Sequence, residues 1–360
     1  MNLDLCTTNV CNFGCKYCSE GHYSFDLIKE RNLKGKTTVT PKEVRRILES
    51  SSDIHHVLAF WGGEPLLNFD FCKEIMEEFA HDNVSFLFYA NGYYIKKYIK
   101  ELKAFSDYLG DLPKYIVQNL PQRRLFVQIS YDGNPINDKM RVLKNGEGTS
   151  NIIKDAVKLL RENNIDYSIK SVITPENFKH MFSAFLDVIS LGSSYYPTPD
   201  LYIKEVSEEN LKDLKMNLAL IAKYILDNNL PPSIFGWFQD SKAKCTAGIN
   251  YFAVNTNKDM MICHGAMYGT DHFITRIDDI RATDLLKKKT SETQKSLSSA
   301  YKRCDTCHVR FCMKCQFANY NMHPEIKDYQ ERWYSLNDNL CKVFEINNKV
   351  YCSLLKIQRK

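Results

Sequence analysis

Apolar residues recur along this chain in two rhythms. Short β-branched and aromatic runs alternate with stretches whose apolar positions return every three or four residues, the spacings of strands and of amphipathic helices. The first run predicts a strand over about 2–7. A loop follows, then a charged stretch, 22–38, with no clear period. Thr40, Pro41 and Glu43 predict a helix start: Thr40 as N-cap, Pro41 at the first helical position, Glu43 closing a capping box. Further strands are predicted over 56–61, 84–90, 125–131, 167–174 and 201–206. Helices are predicted from about Asn68, over 151–163, from near Asn177 and over 208–228.

Six strand–helix units by residue 228 predict a parallel sheet with right-handed crossovers, an α/β fold. Polar or glycine-rich residues stand at the C-terminal end of each early strand, where such sheets carry their sites. Pattern alone leaves a doubly wound sheet and a partial barrel both open. Pro231-Pro232 breaks the alternation, and a domain boundary is expected near residue 230, dividing the chain into 1–230 and 231–360.

Composition narrows the class. With 44% hydrophobic and 25% charged residues the chain is ordinary for a globular protein. A net charge of +5 without a basic stripe gives no reason to expect nucleic acid as partner. No run of 18 uncharged apolar residues exists, so no membrane partner is expected. The N-terminus lacks the features of a signal peptide. Thirteen cysteines then favour metal ligation over disulfides, in a reducing cytoplasm.

Cys11, Cys15 and Cys18 have the spacing C-x3-C-x2-C. Three thiolates can hold three irons of a [4Fe–4S] cube and leave the fourth iron open, whereas an electron-transfer cluster normally has four protein ligands. The alternative is a zinc loop, which usually brings a second C-x2-C pair or histidines at set spacing; no second pair lies close by. The run resembles the signature of the radical S-adenosylmethionine (SAM) enzymes, with Tyr17 as the aromatic that family prefers before the third cysteine. The resemblance implies a partial (β/α)6 barrel. It also implies that the open iron chelates SAM and that electron transfer to SAM yields a 5′-deoxyadenosyl radical, which abstracts hydrogen from substrate.

Gly62-Gly63-Glu64-Pro65, at the end of the second strand, resembles the family's GGEP motif, whose backbone and acidic residue hold SAM's amino group. Ser130 and Asp132, in SYDG, resemble a strand-four stretch that contacts SAM; an Asp-Gly turn is the other reading. Arg141 resembles an arginine near SAM's carboxylate, or is a solvated helix charge. Asn91 and Asn177 fall where relatives carry strand-end asparagines, and a cap or turn explains either.

Cys245, Cys263, Cys304, Cys307, Cys312, Cys315 and Cys341 form a second constellation centred on C-x2-C-x4-C-x2-C. It resembles the SPASM domain of radical SAM peptide- and protein-modifying enzymes, which binds two auxiliary [4Fe–4S] clusters. Mapping by order implies one cluster on Cys304, Cys307, Cys312 and Cys341. The other has Cys245, Cys263 and Cys315, with an open iron or a fourth ligand such as Asp240. Two gaps of the quartet are one residue short of the usual form, and Asn257-Lys258-Asp259 replaces a usual glycine. Zinc knuckles are the alternative for these pairs. Cys6, Cys72 and Cys352 match no motif, and free cysteine is a normal core residue. His264, after Cys263, is a candidate catalytic base or a structural histidine.

The resemblance thus implies a radical SAM enzyme acting on a peptide or protein side chain, as in maturases of ribosomally made peptides. A formylglycine-forming sulfatase-maturase-like activity, a small-molecule substrate, and a non-catalytic iron–sulfur or zinc scaffold are the alternatives. Implied partners are the peptide, an electron donor such as flavodoxin or ferredoxin, and a separate leader-peptide-binding protein, since the chain begins directly at the first strand.

Overall fold

The computed structural model describes residues 1–18, 35–112, 123–200, 205–240, 246–266, 272–300, 307–312, 327 and 338–358. They fall into two compact units.

The first unit comprises Met1–Ser130, Arg141–Ser168 and Thr246–Lys295. Its sheet holds β1 (Asn2–Thr8), β2 (His56–Gly62), β3 (Val84–Ala90) and β4 (Leu125–Ser130), followed much later in the chain by β7 (Tyr251–Val254), β8 (Asp259–Met261) and β9 (Phe273–Arg276). The order is β4-β3-β2-β1-β7-β8-β9. The first five strands run parallel, and β7, β8 and β9 are antiparallel to one another in turn. Helices α1 (Pro41–Glu49), α2 (Phe69–Glu78), α3 (Ile95–Leu109), α5 (Ser150–Glu162) and most of α8 (Ala282–Ala300) accompany these strands.

Local rules account for several boundaries. Thr40 caps α1 as its sequence predicts: Thr40 Oγ1 accepts from Glu43 N, and Glu43 Oε2 accepts from Thr40 N at 2.8 Å. The helix buries Val44, Ile47 and Leu48 on one face. Period-two alternation puts Leu3, Leu5, Leu58, Phe60, Phe86 and Phe88 in the core. Phe60 packs on Phe88 with ring centroids 4.7 Å apart. Each such side chain contributes roughly 1.5–3 kcal/mol by burial. The β7–β8 turn needs a left-handed residue, and Lys258 supplies it at φ 76°. Asn255 Oδ1 braces the turn by accepting from Asn257 N and Asp259 N.

The second unit comprises Tyr131–Met140, Ile169–Cys245 and Ser296–Lys360. It contains the short α4 (Asn137–Met140), most of β5 (Asp166–Ile173), α6 (Met181–Ser190), β6 (Tyr196–Pro199), α7 (Glu208–Asp227) and α9 (Asp338–Gln358). Strands β5 and β6 pair parallel, with Lys170 opposite Tyr196 and Val172 opposite Thr198. Ser207 caps α7, and α9 packs on α7. Phe185, Tyr195, Phe235, Trp237 and Phe238 form an aromatic core. Trp237 Nε1 donates to Pro197 O at 2.7 Å, so the indole is buried without an orphaned donor.

Two expectations shift. The sixth strand, expected over 201–206, is found at Tyr196–Pro199. Of the predicted stretch, 201–204 lies outside the described residues, and Glu205 and Val206 precede α7 without regular structure. Two prolines mask the strand in the sequence, because proline is depleted in ladders. The pattern also passes over α3, which starts at Ile95.

Candidate functional site

The three-cysteine loop leaves β1 where its pairing with β2 shifts register, so that Thr8 meets Gly62. The end of β2 then closes on the loop. Gly63 N donates to Thr8 O at 2.8 Å and Glu64 N to Val10 O at 2.9 Å. Both glycines are required by this approach. A Cβ on Gly62, at φ 132°, would stand 2.3 Å from Thr8 O; one on Gly63 would stand 2.2 Å from Val10 O.

Glu64 is completely buried. Its Oε1 accepts from Leu66 N at 3.3 Å and its Oε2 from Asn91 N at 2.8 Å. Burial raises its pKa from 4.5 to about 7, against the opposing effect of those two bonds. The carboxylate therefore braces β2 and β3 to each other. Pro65 opens the short 3-10 turn Pro65–Asn68. Asn91 completes the brace: its Nδ2 donates to Asn12 Oδ1 at 2.9 Å and reaches Cys11 Sγ at 3.8 Å.

The other side of the loop rests on the segment before α5. Phe13 bridges to Leu143, and Gly14 N donates to Val142 O at 2.8 Å. The Arg141 guanidinium lies 5.2 Å from the centroid of the Tyr17 ring, a cation–π contact. Tyr17 and Arg141, singled out separately in the sequence, are thus brought together.

Among the described residues no three His, Cys, Asp or Glu side chains meet as tightly as one metal ion requires. A four-iron cube gives each thiolate its own iron, so its ligands stand wider apart than four ligands on one zinc. The loop's chemistry fits such a cluster. Phe13 N donates to Cys11 Sγ at 3.4 Å, a bond that favours a thiolate. Burial pushes the Cys11 thiol up to about 12, so metal binding there must release a proton.

In the second unit, Asp132 is fully buried, and its Oδ1 accepts from Val172 N at 2.8 Å. Gly133 follows at φ 80°, packed against Ala184. Asn177 Nδ2 donates to Thr174 Oγ1 at 2.8 Å, a turn contact. Ser130 ends β4 in the first unit. Of the C-terminal cysteines, Cys245, Cys304 and Cys315 lie outside the described residues; Cys263 belongs to the first unit, and Cys307, Cys312 and Cys341 to the second. Asp240 pairs with Arg310 at 2.9 Å.

His264 sits in a constellation whose other members the sequence reading missed. Its Nδ1 lies 2.7 Å from Asp4 Oδ2, which also accepts from Tyr251 Oη at 2.6 Å. Tyr251 and His264 contact each other as well. The imidazole lies 5.3 Å from Trp61 and 6.1 Å from Tyr89, centroid to centroid. Asp4 is buried, while the His264 side chain keeps 37% of its surface exposed. With Nδ1–H assigned to the carboxylate by this network, Nε2 is left as an acceptor. Burial raises the Tyr89 and Tyr251 phenols well above their usual range, with the Asp4 carboxylate adding to the effect, so both stay neutral. The one available signal was a carboxylate inside the apolar run Leu3-Asp4-Leu5.

The chain belongs to the radical SAM superfamily, whose model matches residues 5–189, just over half of the chain. It is 24% identical over 248 residues to the radical SAM cyclopropyl synthase TigE of Paramaledivibacter caminithermalis, covering 63% of this chain and 47% of that one. It is 26% identical over 182 residues to the cysteine-type anaerobic sulfatase-maturating enzyme of Clostridium novyi, covering 48% and 43%. The aligned stretch thus spans less than half the length of either relative. Among solved structures, native anSMEcpe with bound AdoMet superposes with a TM-score of 0.74 at 17% identity, over 100% of this chain and 99% of that one. That match establishes a shared α/β fold. The superfamily implies SAM and a [4Fe–4S] cluster, and an enzyme with radical SAM chemistry.

Proposed function

We propose that this enzyme modifies a side chain of a peptide or protein, as a maturase forming a crosslink or oxidising its substrate. The observation that carries the reading is the three-cysteine loop sealed against Gly62-Gly63-Glu64-Pro65, in a chain that also carries the seven-cysteine C-terminal pattern. Both named relatives, a cyclopropyl synthase and a sulfatase-maturating enzyme, support it.

Cys11, Cys15 and Cys18 would hold the [4Fe–4S] cluster, which together with SAM supplies one-electron cleavage of a sulfonium C–S bond. The protein's part is positioning and exclusion of water. Asn91 and Glu64 fix the loop, and the backbone of Gly62–Pro65 is assigned to SAM's amino group. Tyr17, Ser130, Asp132 and Arg141 are assigned to the remainder of SAM. His264, oriented by Asp4, offers Nε2 to an N–H, O–H or S–H of the substrate. The C-terminal cysteines are assigned to two auxiliary clusters that hold substrate or accept its second electron. Such clusters need a reducing compartment, so we place the enzyme in the cytoplasm, served by a flavodoxin or ferredoxin and, if the substrate has a leader, a separate leader-binding protein.

No helix among the described residues is long and apolar enough to cross a membrane. A second reading is oxidation of Cys or Ser to formylglycine, favoured by the relative named for sulfatase maturation.

Iron and sulfide per chain after anaerobic reconstitution test the assignment. Three cubes give roughly 12 irons, falling to roughly 8 in a Cys11/Cys15/Cys18 triple alanine variant. About 4 irons falling to none retires the auxiliary clusters. Co-expression with short open reading frames adjacent to the gene tests the substrate. A crosslink removes two hydrogens, formylglycine reacts with a hydrazide probe, and an unmodified peptide set counts against both.

A further inference from the structure

The paired strands β5 and β6 of the second unit carry two polar groups outside the site around the cysteine loop. Lys170 lies opposite Tyr196, with its Nζ 4.5 Å from the centroid of the Tyr196 ring. The ring is held firmly, because a Cβ on Gly236 would overlap it and the Phe311 edge packs on it at 6.1 Å. The ammonium thus rests on a fixed aromatic platform. Among the described residues it forms no ion pair, and burial alone lowers its pKa from 10.5 to about 8. A half-buried cation with, among the described residues, only a ring beneath it lacks the partner that buried charges normally have.

Thr198 supplies the second group. It stands two residues beyond Tyr196 and opposite Val172, which is itself two residues beyond Lys170. Side chains alternate along strands, so Lys170, Val172, Tyr196 and Thr198 share one face of the pair. The Thr198 hydroxyl is buried and has no hydrogen-bond partner among the described residues. An unmet buried donor is costly, and native structures carry few.

A cation on a platform and an unmet hydroxyl on the same face are complementary to an anion with two acceptor oxygens. We propose that Lys170 and Thr198 form a binding site for a carboxylate, contributed by an acidic side chain or C-terminus of the substrate peptide. Lys170 supplies charge and up to three donors, and Thr198 supplies one. Val172 and Tyr196, both half-buried, give the site apolar walls. That the carboxylate belongs to a peptide rests on the function proposed above; that a carboxylate binds here does not.

The test uses the reconstituted holoenzyme and two probes, N-acetyl-aspartate N-methylamide and its neutral asparagine counterpart. Their binding is followed by ligand-observed NMR, with SAM present and absent, and SAM affinity is measured alongside. The acid is expected to bind and the amide not. Lys170→Met should weaken the acid by roughly ten- to a hundredfold, the usual worth of a charge-assisted bond, and Thr198→Val should weaken it less. Lys170→Arg keeps the charge and should retain part of the affinity, which separates a lost site from a misfolded protein. Unchanged SAM affinity in Lys170→Met assigns the site to the peptide. A matching loss of SAM affinity, with the acid excluded whenever SAM is present, overturns the assignment to a peptide carboxylate. Equal binding of acid and amide, or a Lys170→Met variant that binds the acid as wild type does, overturns the proposal. Probe binding requires no turnover, so a failed search for a modified peptide leaves this result intact.

Discussion

Glu64 illustrates how one side chain can be spent on structure at the edge of a reaction site. Its two oxygens are taken by Leu66 N and Asn91 N, and no part of it reaches solvent. Its burial has a consequence for pH. In the unfolded chain the carboxyl ionises near 4.5, whereas in the folded protein it keeps its proton up to about 7. Stability contributed by this group is therefore complete below pH 4.5 and is lost as pH rises through 7, to a total of about 3 kcal/mol. Glu64→Gln cannot ionise. Unfolding midpoints at pH 5 and pH 8, taken anaerobically, should diverge more for wild type than for Glu64→Gln. Parallel slopes would mean that the carboxyl is solvated after all.

At the scale of elements, β1 does two jobs with its two faces. Leu3 and Leu5 enter the core, and Asp4 anchors Tyr251 from β7 and His264 from beyond β8. Asp4→Asn keeps the shape but offers one neutral acceptor to two donors. The expected cost is about 1–3 kcal/mol of stability. A sharper readout is the imidazole itself: 15N NMR should find His264 as the Nδ1–H tautomer in wild type and as a mixture in Asp4→Asn. A wild-type mixture would remove Asp4 from its orienting role. This element also marks where sequence reading ran out. Strands β1 to β5, the capping box at Thr40 and the Gly62-Gly63-Glu64-Pro65 turn were legible, because period-two runs and turn residues act over a few positions. The Asp4 partners lie 247 and 260 residues away, and only the fold pairs them. Strand β6 was hidden for the opposite reason: its local sequence, Tyr-Pro-Thr-Pro, speaks against a strand that pairing with β5 nevertheless enforces.

For the whole molecule, the decisive fact is that β7 arrives from residue 251 to pair with β1, the strand that leads into the cysteine loop. Asn2 to Leu5 pair with Tyr251 to Val254 on one side and with Val57 to Phe60 on the other. Phe252, Ala253 and Val254 are buried in that arrangement. A chain cut at residue 230 would expose the β1 edge and leave Asp4 without Tyr251 and His264. Each unpaired backbone group and each uncovered apolar side chain works against the shortened sheet. A domain boundary near residue 230 predicts a soluble, cluster-binding 1–230 fragment; the strand pairing predicts aggregation, or a fragment with no cooperative unfolding. A fragment extended to residue 295 restores β7, β8 and β9 and should regain order in the cysteine loop. Iron content per chain distinguishes these outcomes: about four irons in the longer fragment and near none in the shorter. Equal iron in both would mean that contacts within residues 1–230, those of Gly62, Gly63, Asn91, Val142 and Leu143, hold the loop without help from β7.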